Sequence, residues 1–388
     1  MITLLIFLLV LSVLVFVHEF GHFITAKRAK LRVDEFGFGF PPRVVGLQKI
    51  NGRRRIVWGT KNSDELRDGG TVYSLNLLPF GGFVKIKGES GEGLDEQDSF
   101  ASRGAPTRIA IIVAGVFMNF VLAVVLIAVG FVIGFPQVLE GEISKYAHIK
   151  DQHIEVLGVL SESPAEKAGV RPGMRVISGN DSEFENAEAF KSFVSEFNER
   201  SVRLKVAENG QAPQELTVTP TILEQTQKPG IGVSIADTAE VRYPFWLAIP
   251  KGLALTLDLA KTIVVSFGLL VRDAVLGRPV TADLAGPIGI AVLTGQAARM
   301  GFVHLLQFMA ILSVNLAVLN IIPFPALDGG RILFILIEKA LRRPVARKVE
   351  GWIHGAGFVL LLTLVGFITF RDLGRYGGKI AEFFKGLF

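Results

Sequence analysis

The residues His18-Glu19-Phe20-Gly21-His22 close a run of sixteen residues, Ile2 to Val17, that carries no charge. On a helix, positions i and i+4 share a face, so His18 and His22 can hold one metal ion between them. Glu19 stands beside that ion, where a general base would be needed. The pattern is common in soluble zinc proteases. Here it lies in Ile2–Ala26, a segment long enough to cross a hydrocarbon core of about 30 Å at about 1.5 Å per residue. A charge at the centre of a spanning helix costs about 2.5–3.5 kcal/mol on insertion scales. Three ionisable residues within five positions need a reason, and metal coordination is the simplest. The alternative is a polar helix end that snorkels to the interface.

Composition fits a membrane setting. Half of the 388 residues are apolar, the mean hydropathy is +0.45, and the apolar residues come in long blocks. After Ile2–Ala26 these are Ile109–Pro136, with Asn119 as its strongly polar side chain, Gly301–Ile337, interrupted near its middle, and Gly351–Phe370. The first block does not read as a cleavable signal peptide: it lacks a basic start and carries HEFGH where a cleavage site would fall. The net charge of +5 is split among loops, which does not suggest nucleic acid. The absence of cysteine excludes disulfides and thiolate ligands.

Charge bias gives an orientation. The loops 25–106 and 338–350 are rich in Lys and Arg, the latter through Lys339, Arg342, Arg343, Arg347 and Lys348, whereas 137–236 is acidic. Basic loops stay cytoplasmic. Four crossings then alternate, with both termini and the acidic segment outside.

The loops have content. Phe36–Pro42 and Tyr73–Ile86 are apolar and aromatic with Gly and Pro inserted, and read as β-hairpin pieces that dip into the membrane boundary; a small cytoplasmic sheet is the alternative. Gly88–Gln97 reads as a polar, flexible surface stretch. Glu155–Ala236 reads as a small α/β domain: a strand and short helix over Gly158–Val170, a turn at Pro172-Gly173, a strand at Arg175–Ser178, a helix over Asn186–Asn198 with Phe190, Val194 and Phe197 on one face, and strands at Val202–Val206 and Glu215–Val218. Pro244–Val275 is amphipathic and reads as a helix lying on the membrane surface, because Asp258, Lys261 and Arg272 argue against the alternative of a crossing. The chain thus divides into 1–136, 137–236, 237–300 and 301–388.

Two histidines leave a zinc ion short of the three protein ligands that a catalytic site supplies. The candidate third ligand is Asp328, in Asn320-Ile321-Ile322-Pro323-Phe324-Pro325-Ala326-Leu327-Asp328-Gly329-Gly330, the stretch that interrupts the third block. Its prolines remove helix donors, and non-helical backbone at membrane depth is tolerated only where it is buried in protein or lines a cavity. The other reading of Asp328 is an N-cap for Arg331–Ala340.

With both motifs in hand, the chain resembles the site-2 protease family of intramembrane zinc metalloproteases, in its bacterial RseP type. HEFGH matches the family's HExxH, NIIPFPALDGG its N-x-x-P-x-P-x-x-D-G motif, and Gly115-Val116-Phe117-Met118-Asn119 its G-x-x-x-N motif. Leu77–Ile86 looks like its membrane-reentrant hairpin, and Gly286-Pro287-Ile288-Gly289 matches a stretch before its third core helix. The acidic segment resembles a PDZ domain through SPAEKAG-V-x-PG, although Met174 stands where those domains usually carry Asp, and the chain has one such domain where some relatives have two.

The resemblance implies a polytopic α-helical membrane protein of about four transmembrane helices, with a membrane-associated β-hairpin region and one extracytoplasmic PDZ-like domain. It implies Zn2+ held by His18, His22 and Asp328, and Glu19 as the base that activates the water at the zinc. Asn320 would contact substrate backbone. Asn119 would do so more weakly or make an interhelical hydrogen bond, and Gly81 and Gly82 belong to the hairpin expected to meet substrate. Substrates would be single-span membrane proteins trimmed by an upstream site-1-type protease, such as anti-sigma factors or remnant signal peptides, in a bacterial inner membrane with the site towards the cytoplasm. His304 and His354 read as packing or interfacial residues, His148 and His153 as solvated. A membrane metal transporter and an inactive PDZ scaffold are the rival classes; transport needs no general base, so Glu19 separates them.

Overall fold

The computed structural model describes residues 2–50, 52–59, 69–89, 93, 95–139, 144–160, 162–197, 199–208, 211–223, 228–278, 285–343 and 345–385. The chain forms two compact units, one of residues 1–127 with 249–388 and one of residues 128–248. Part of the polar stretch 88–97, residues 90–92 and 94, lies outside the described residues.

The first unit opens with helix α1 (Ile2–Arg28), followed by strands β1 (Val33–Ile50), β2 (Arg53–Trp58) and β3 (Val72–Ile86) and helix α2 (Ala105–Ile133). Both helices are apolar rods whose stability comes from packing and, in lipid, from having backbone groups bonded internally. They approach closely because of glycine: a Cβ on Gly21 would stand 2.2 Å from the Ala114 carbonyl oxygen. The two aromatic stretches do pair with each other, but not as one simple hairpin. Both β1 and β3 fold back on themselves. The β1 run 33–38 lies between 82–86 (Phe36↔Val84) and 72–75 (Phe36↔Tyr73) of β3, 72–75 also pairs with 45–47 (Leu47↔Tyr73), and β2 closes the other side (Leu47↔Ile56). Among the described residues, 82–86 and β2 are therefore the two free edges. The sheet is fastened to α1 by aromatic contacts, with Phe36 stacked on Phe23 at 4.5 Å and Phe16 at 5.2 Å.

The second unit follows the expected order and adds to it. Its strands are β4 (Phe135–Val138), β5 (His148–Val159), β6 (Arg175–Gly179), β7 (Ser182–Glu183), β8 (Val202–Ala207), β9 (Gln214–Val218), β10 (Thr221–Leu223), β11 (Lys228–Gly230) and β12 (Val233–Arg242), with helices α3 (Pro164–Lys167) and α4 (Ala187–Glu196). Six strands run β4-β12-β5-β6-β8-β9, with β7 beside β6, and β10 pairs with β11 separately. Helix α3 starts where sequence placed it, with Ser163 as N-cap and Pro164 behind it, and α4 is capped by Asn186. Phe190 and Val194 enter the core with Ile154, Val156, Val176, Leu204 and Val206. Met174 is fully buried in that core, which accounts for an apolar residue at this turn. One expectation needs correction: His153 is not simply solvated, since its ring lies within hydrogen-bond distance of the Asp151 carbonyl and the Thr238 hydroxyl.

The chain returns through helix α5 (Phe245–Val275), α6 (Pro287–Met300), α7 (Phe302–Ile321), α8 (Asp328–Leu341) and α9 (Arg347–Lys385). The expected surface segment 237–300 is thus not one element: it holds the end of β12, all of α5 and all of α6. Helix α5, though the least apolar of the candidates, is long and apolar enough to span, so five helices rather than four meet that measure among the described residues. The physical reason is that its charged residues are few and widely spaced along 31 residues. Helix α6 is wedged between neighbours, with Thr3 of α1 against Gly295 and Asp372 of α9 accepting the Gly289 N–H at 2.7 Å. The interrupted block is α7, a six-residue bend and α8. The bend packs tightly, because a Cβ on Gly329 would meet the Ile322 carbonyl oxygen at 2.2 Å, and one on Gly357 of α9 would meet Pro325 at 2.4 Å.

Candidate metal centre

His18 and His22 lie in the C-terminal half of α1, buried, on the face turned to α2. Asp328 opens α8, and its carboxylate points at the histidines. The helix N-cap is Leu327, which makes no side-chain cap bond, so Asp328 is a ligand candidate and not the cap. His18 Nε2 is 3.0 Å from Asp328 Oδ2, His22 Nε2 is 3.1 Å from His18 Nε2, and His22 Nε2 is 3.5 Å from Asp328 Oδ2. Two ligands about 2.05 Å from a tetrahedral zinc ion are about 3.3 Å apart. The three atoms therefore have the mutual spacing of three corners of a zinc tetrahedron.

The far side of each ring supports the same reading. One face of α2, at positions 111, 115 and 119, holds both histidines. The Ile111 carbonyl lies 2.8 Å from His22 Nδ1. A carbonyl only accepts, so it fixes the proton on Nδ1 and leaves the Nε2 lone pair for a metal. Asn119, wholly buried, places its side-chain amide 3.2 Å from His18 Nδ1. Its Oδ1 has no hydrogen-bond partner, and amide nitrogen and oxygen exchange by a half-turn. That half-turn gives His18 Nδ1 an acceptor and frees its Nε2 as well. Between the two partners, Gly115 leaves room for the rings: a Cβ there would stand 2.4 Å from His22 Nε2. Two imidazole lone pairs and a carboxylate oxygen then converge on one point, which a divalent cation satisfies.

Glu19, one residue on from His18, faces the edge of the sheet. Its Oε2 accepts the backbone N–H of Val84 at 3.1 Å, on the free edge run 82–86 of β3. Gly81 precedes that run, Gly82 opens it, and both are buried. Gly81 has φ +76° and sits under Phe40, while Gly82 packs on the Phe16 backbone, so turn geometry and close approach account for both glycines. Asn320 is half-buried in the last turn of α7. Sequence reading pairs it with Asn119 in one role, but the structure separates them, with Asn119 behind the ligands and Asn320 at a helix end. Sequence also misses three partners. The Val84 N–H and the Ile111 carbonyl are backbone groups, which leave no side-chain signature. His354 of α9 accepts the Ala326 N–H at 3.0 Å and steadies Ala326 at φ +77° in the bend before Asp328.

The chain is similar to known proteins along nearly its whole length. The model of peptidase family M50 matches residues 6–364. A protein of Clostridium perfringens is 32% identical over 94% of this chain and 97% of its own length. The zinc metalloprotease RasP of Geobacillus kaustophilus is 28% identical over 95% and 97%, and the regulator of sigma-W protease RasP of Bacillus subtilis 27% over 96% and 98%. The PDZ domain of an SdrC-like protein of Listeria innocua aligns with 21% of this chain and 92% of its own at 22% identity, with a TM-score of 0.20. The chain belongs to peptidase family M50. It is a zinc metalloprotease of the intramembrane, site-2 type, and a multi-pass membrane protein.

When bound, zinc supplies Lewis acidity to a scissile carbonyl and acidifies water. His18, His22 and Asp328 would hold it. Glu19 can take a proton from the attacking water and return one to the leaving amine. The Val84 N–H fixes which carboxylate oxygen does so.

Proposed function

We propose that the enzyme hydrolyses peptide bonds within or beside the transmembrane segment of single-span membrane proteins that a site-1-type protease has already shortened. Anti-sigma factors and remnant signal peptides are the expected substrate classes. One observation carries this reading: the free backbone edge 82–86 runs beside the metal centre, joined to it by the bond between Val84 and Glu19. A substrate helix hides its peptide bonds in i→i−4 hydrogen bonds and must unwind before cleavage. An edge strand offers the unwound segment main-chain partners at the site itself. Asn320 would contact that segment.

In the orientation we infer, α1, α2, α7 and α9 cross a bacterial inner membrane, α5 lies on its outer surface, and the PDZ-like unit is extracytoplasmic. The division at 1–136, 137–236, 237–300 and 301–388 is kept as the functional one. The metal centre supports this topology. Both α1 and α7 deliver their C-terminal ends to it, so they run in the same direction, and an odd number of crossings separates them. Helix α2 is one. A crossing α5 would make two, and α6, with 14 residues, is too short to restore the count. The site then faces the cytoplasmic side, and the PDZ-like unit screens what reaches it by size or by a new C-terminus.

The test compares wild type with Glu19→Gln, purified in detergent at matched zinc content, on a single-span reporter trimmed on its extracytoplasmic side. Cleavage within the span by wild type alone is the expected result. Stoichiometric zinc with no cleavage by either protein, across several reporters, would overturn it.

A further inference from the structure

The outer face of the β1–β2–β3 sheet carries its side chains in rows fixed by the register. One row runs Trp58, Val45, Leu75, Phe38; the next runs Ile56, Leu47, Tyr73, Phe36, Val84; the next position along the hairpin is the pair Lys49 and Arg54. Successive rows on one face are two residues apart, about 7 Å. At the Phe36 end this face is covered by α1. The rest is bare: Trp58 is 66% exposed, Ile56 58% and Leu75 52%, around an apolar groove of about 430 Å3. Past the Trp58 row the tip of the sheet exposes Phe40, Val44, Leu77 and Leu78. The cations Lys49, Arg53, Arg54 and Arg55 all stand at the opposite end, and all are exposed.

Polarity therefore changes along the strands, from an apolar tip through Trp58 and Tyr73 to a basic end. That is the gradient of a segment entering a bilayer from one side, with aromatic rings at the interface and cations among the headgroups. Edge arginines also discourage strand pairing, but that role does not require them to be aligned beyond two apolar rows.

We propose that Lys49, Arg53, Arg54 and Arg55 form a collar that binds acidic phospholipid headgroups and sets the depth of the metal centre. This rests on the reading that the helical unit lies in a bilayer. The register supplies the ruler. Val84, which bonds Glu19, belongs to the Ile56 row, and the Lys49–Arg54 pair lies one row further, about 7 Å. Headgroup phosphates held on the collar thus fix the level of Glu19, and with it the level at which a substrate segment is read.

The test uses the full chain with Trp246 and Trp352 changed to phenylalanine, leaving Trp58 of the three tryptophans. It is reconstituted in equal phosphatidylglycerol and phosphatidylcholine, with bromine on the acyl chains of one lipid or the other. Trp58 should be quenched about two-fold more strongly when phosphatidylglycerol carries the bromine. In a Lys49→Gln, Arg53→Gln, Arg54→Gln, Arg55→Gln variant that retains its zinc, the preference should fall to about one. Equal quenching by both lipids in the parent, no quenching, or a preference that survives the four changes would overturn the proposal. Quenching needs no cleavage, so its failure is distinct from failure of the protease reading.

Discussion

The carboxylate of Glu19 and the backbone N–H of Val84 are joined at 3.1 Å, so the base of the site and the free edge of the sheet are one structure. Replacing Val84 by proline removes that N–H. It does so on the side of the strand turned away from β1, leaving the ladder partner of Phe36 in place. A hydrogen bond to a charged group contributes about 1.5–3 kcal/mol. Cleavage by Val84→Pro should therefore fall roughly 10- to 100-fold at unchanged zinc content, while Val84→Ala, which keeps the N–H, should cleave normally. Equal rates for the two variants would break the link between edge and base.

Glu19→Gln keeps the shape of the side chain and loses its proton affinity. General acid–base groups contribute about 10²- to 10⁴-fold, and a loss in that range is expected in a cleavage assay. Zinc stoichiometry should be unchanged, since the candidate ligands are His18, His22 and Asp328.

Asn119, 3.2 Å from His18 Nδ1, would act on a bound metal through that ring. Outer partners of ligating histidines are worth about 10- to 100-fold in metal affinity. Asn119→Leu should weaken zinc by that factor in competition with a chromogenic chelator, and Asn119→Asp, which retains an acceptor, should lose less. A helix-packing role alone would leave zinc affinity unmoved in both.

Gly115 and Gly366 make a matched pair in two apolar helices. A Cβ at Gly115 would strike His22 at 2.4 Å, whereas one at Gly366 meets nothing within 4 Å. Overpacking costs about 1–3 kcal/mol, so Gly115→Ala should lower both thermal stability and zinc retention. Gly366→Ala should do neither, and the better helix propensity of alanine gives it a slight gain.

Much of this was readable in the sequence because it rests on side-chain pattern. The apolar blocks became α1, α2, α7 with α8, and α9; HEFGH and LDGG supplied the three side chains that cluster as candidate ligands; Ser163-Pro164 and Asn186 opened their helices where capping chemistry says they should. What escaped reading rests on backbone or on partners distant in sequence. Nothing in Val84 or Ile111 as residue types announces that an N–H or a carbonyl will face the site. The folding back of β1 and β3 depends on which of two compatible registers each half adopts, and alternating apolar residues serve both. Strands β4 and β12 find each other across about a hundred residues, with no local signal. Helix α5 is apolar enough to meet the measure of a crossing and charged enough to lie flat, so its own residues fit both readings.

His18 and Asp328 stand 310 residues apart in the chain and 3.0 Å apart in the fold. The interval has a temporal meaning. Synthesis delivers the two imidazoles and the Glu19 carboxylate first, and the Asp328 carboxylate 310 residues after His18. Until then the membrane holds a proteolytic base without a complete metal seat. Emergence of α8 would complete the seat, so activity against neighbouring proteins would wait until the elements from α1 to α7 have been made.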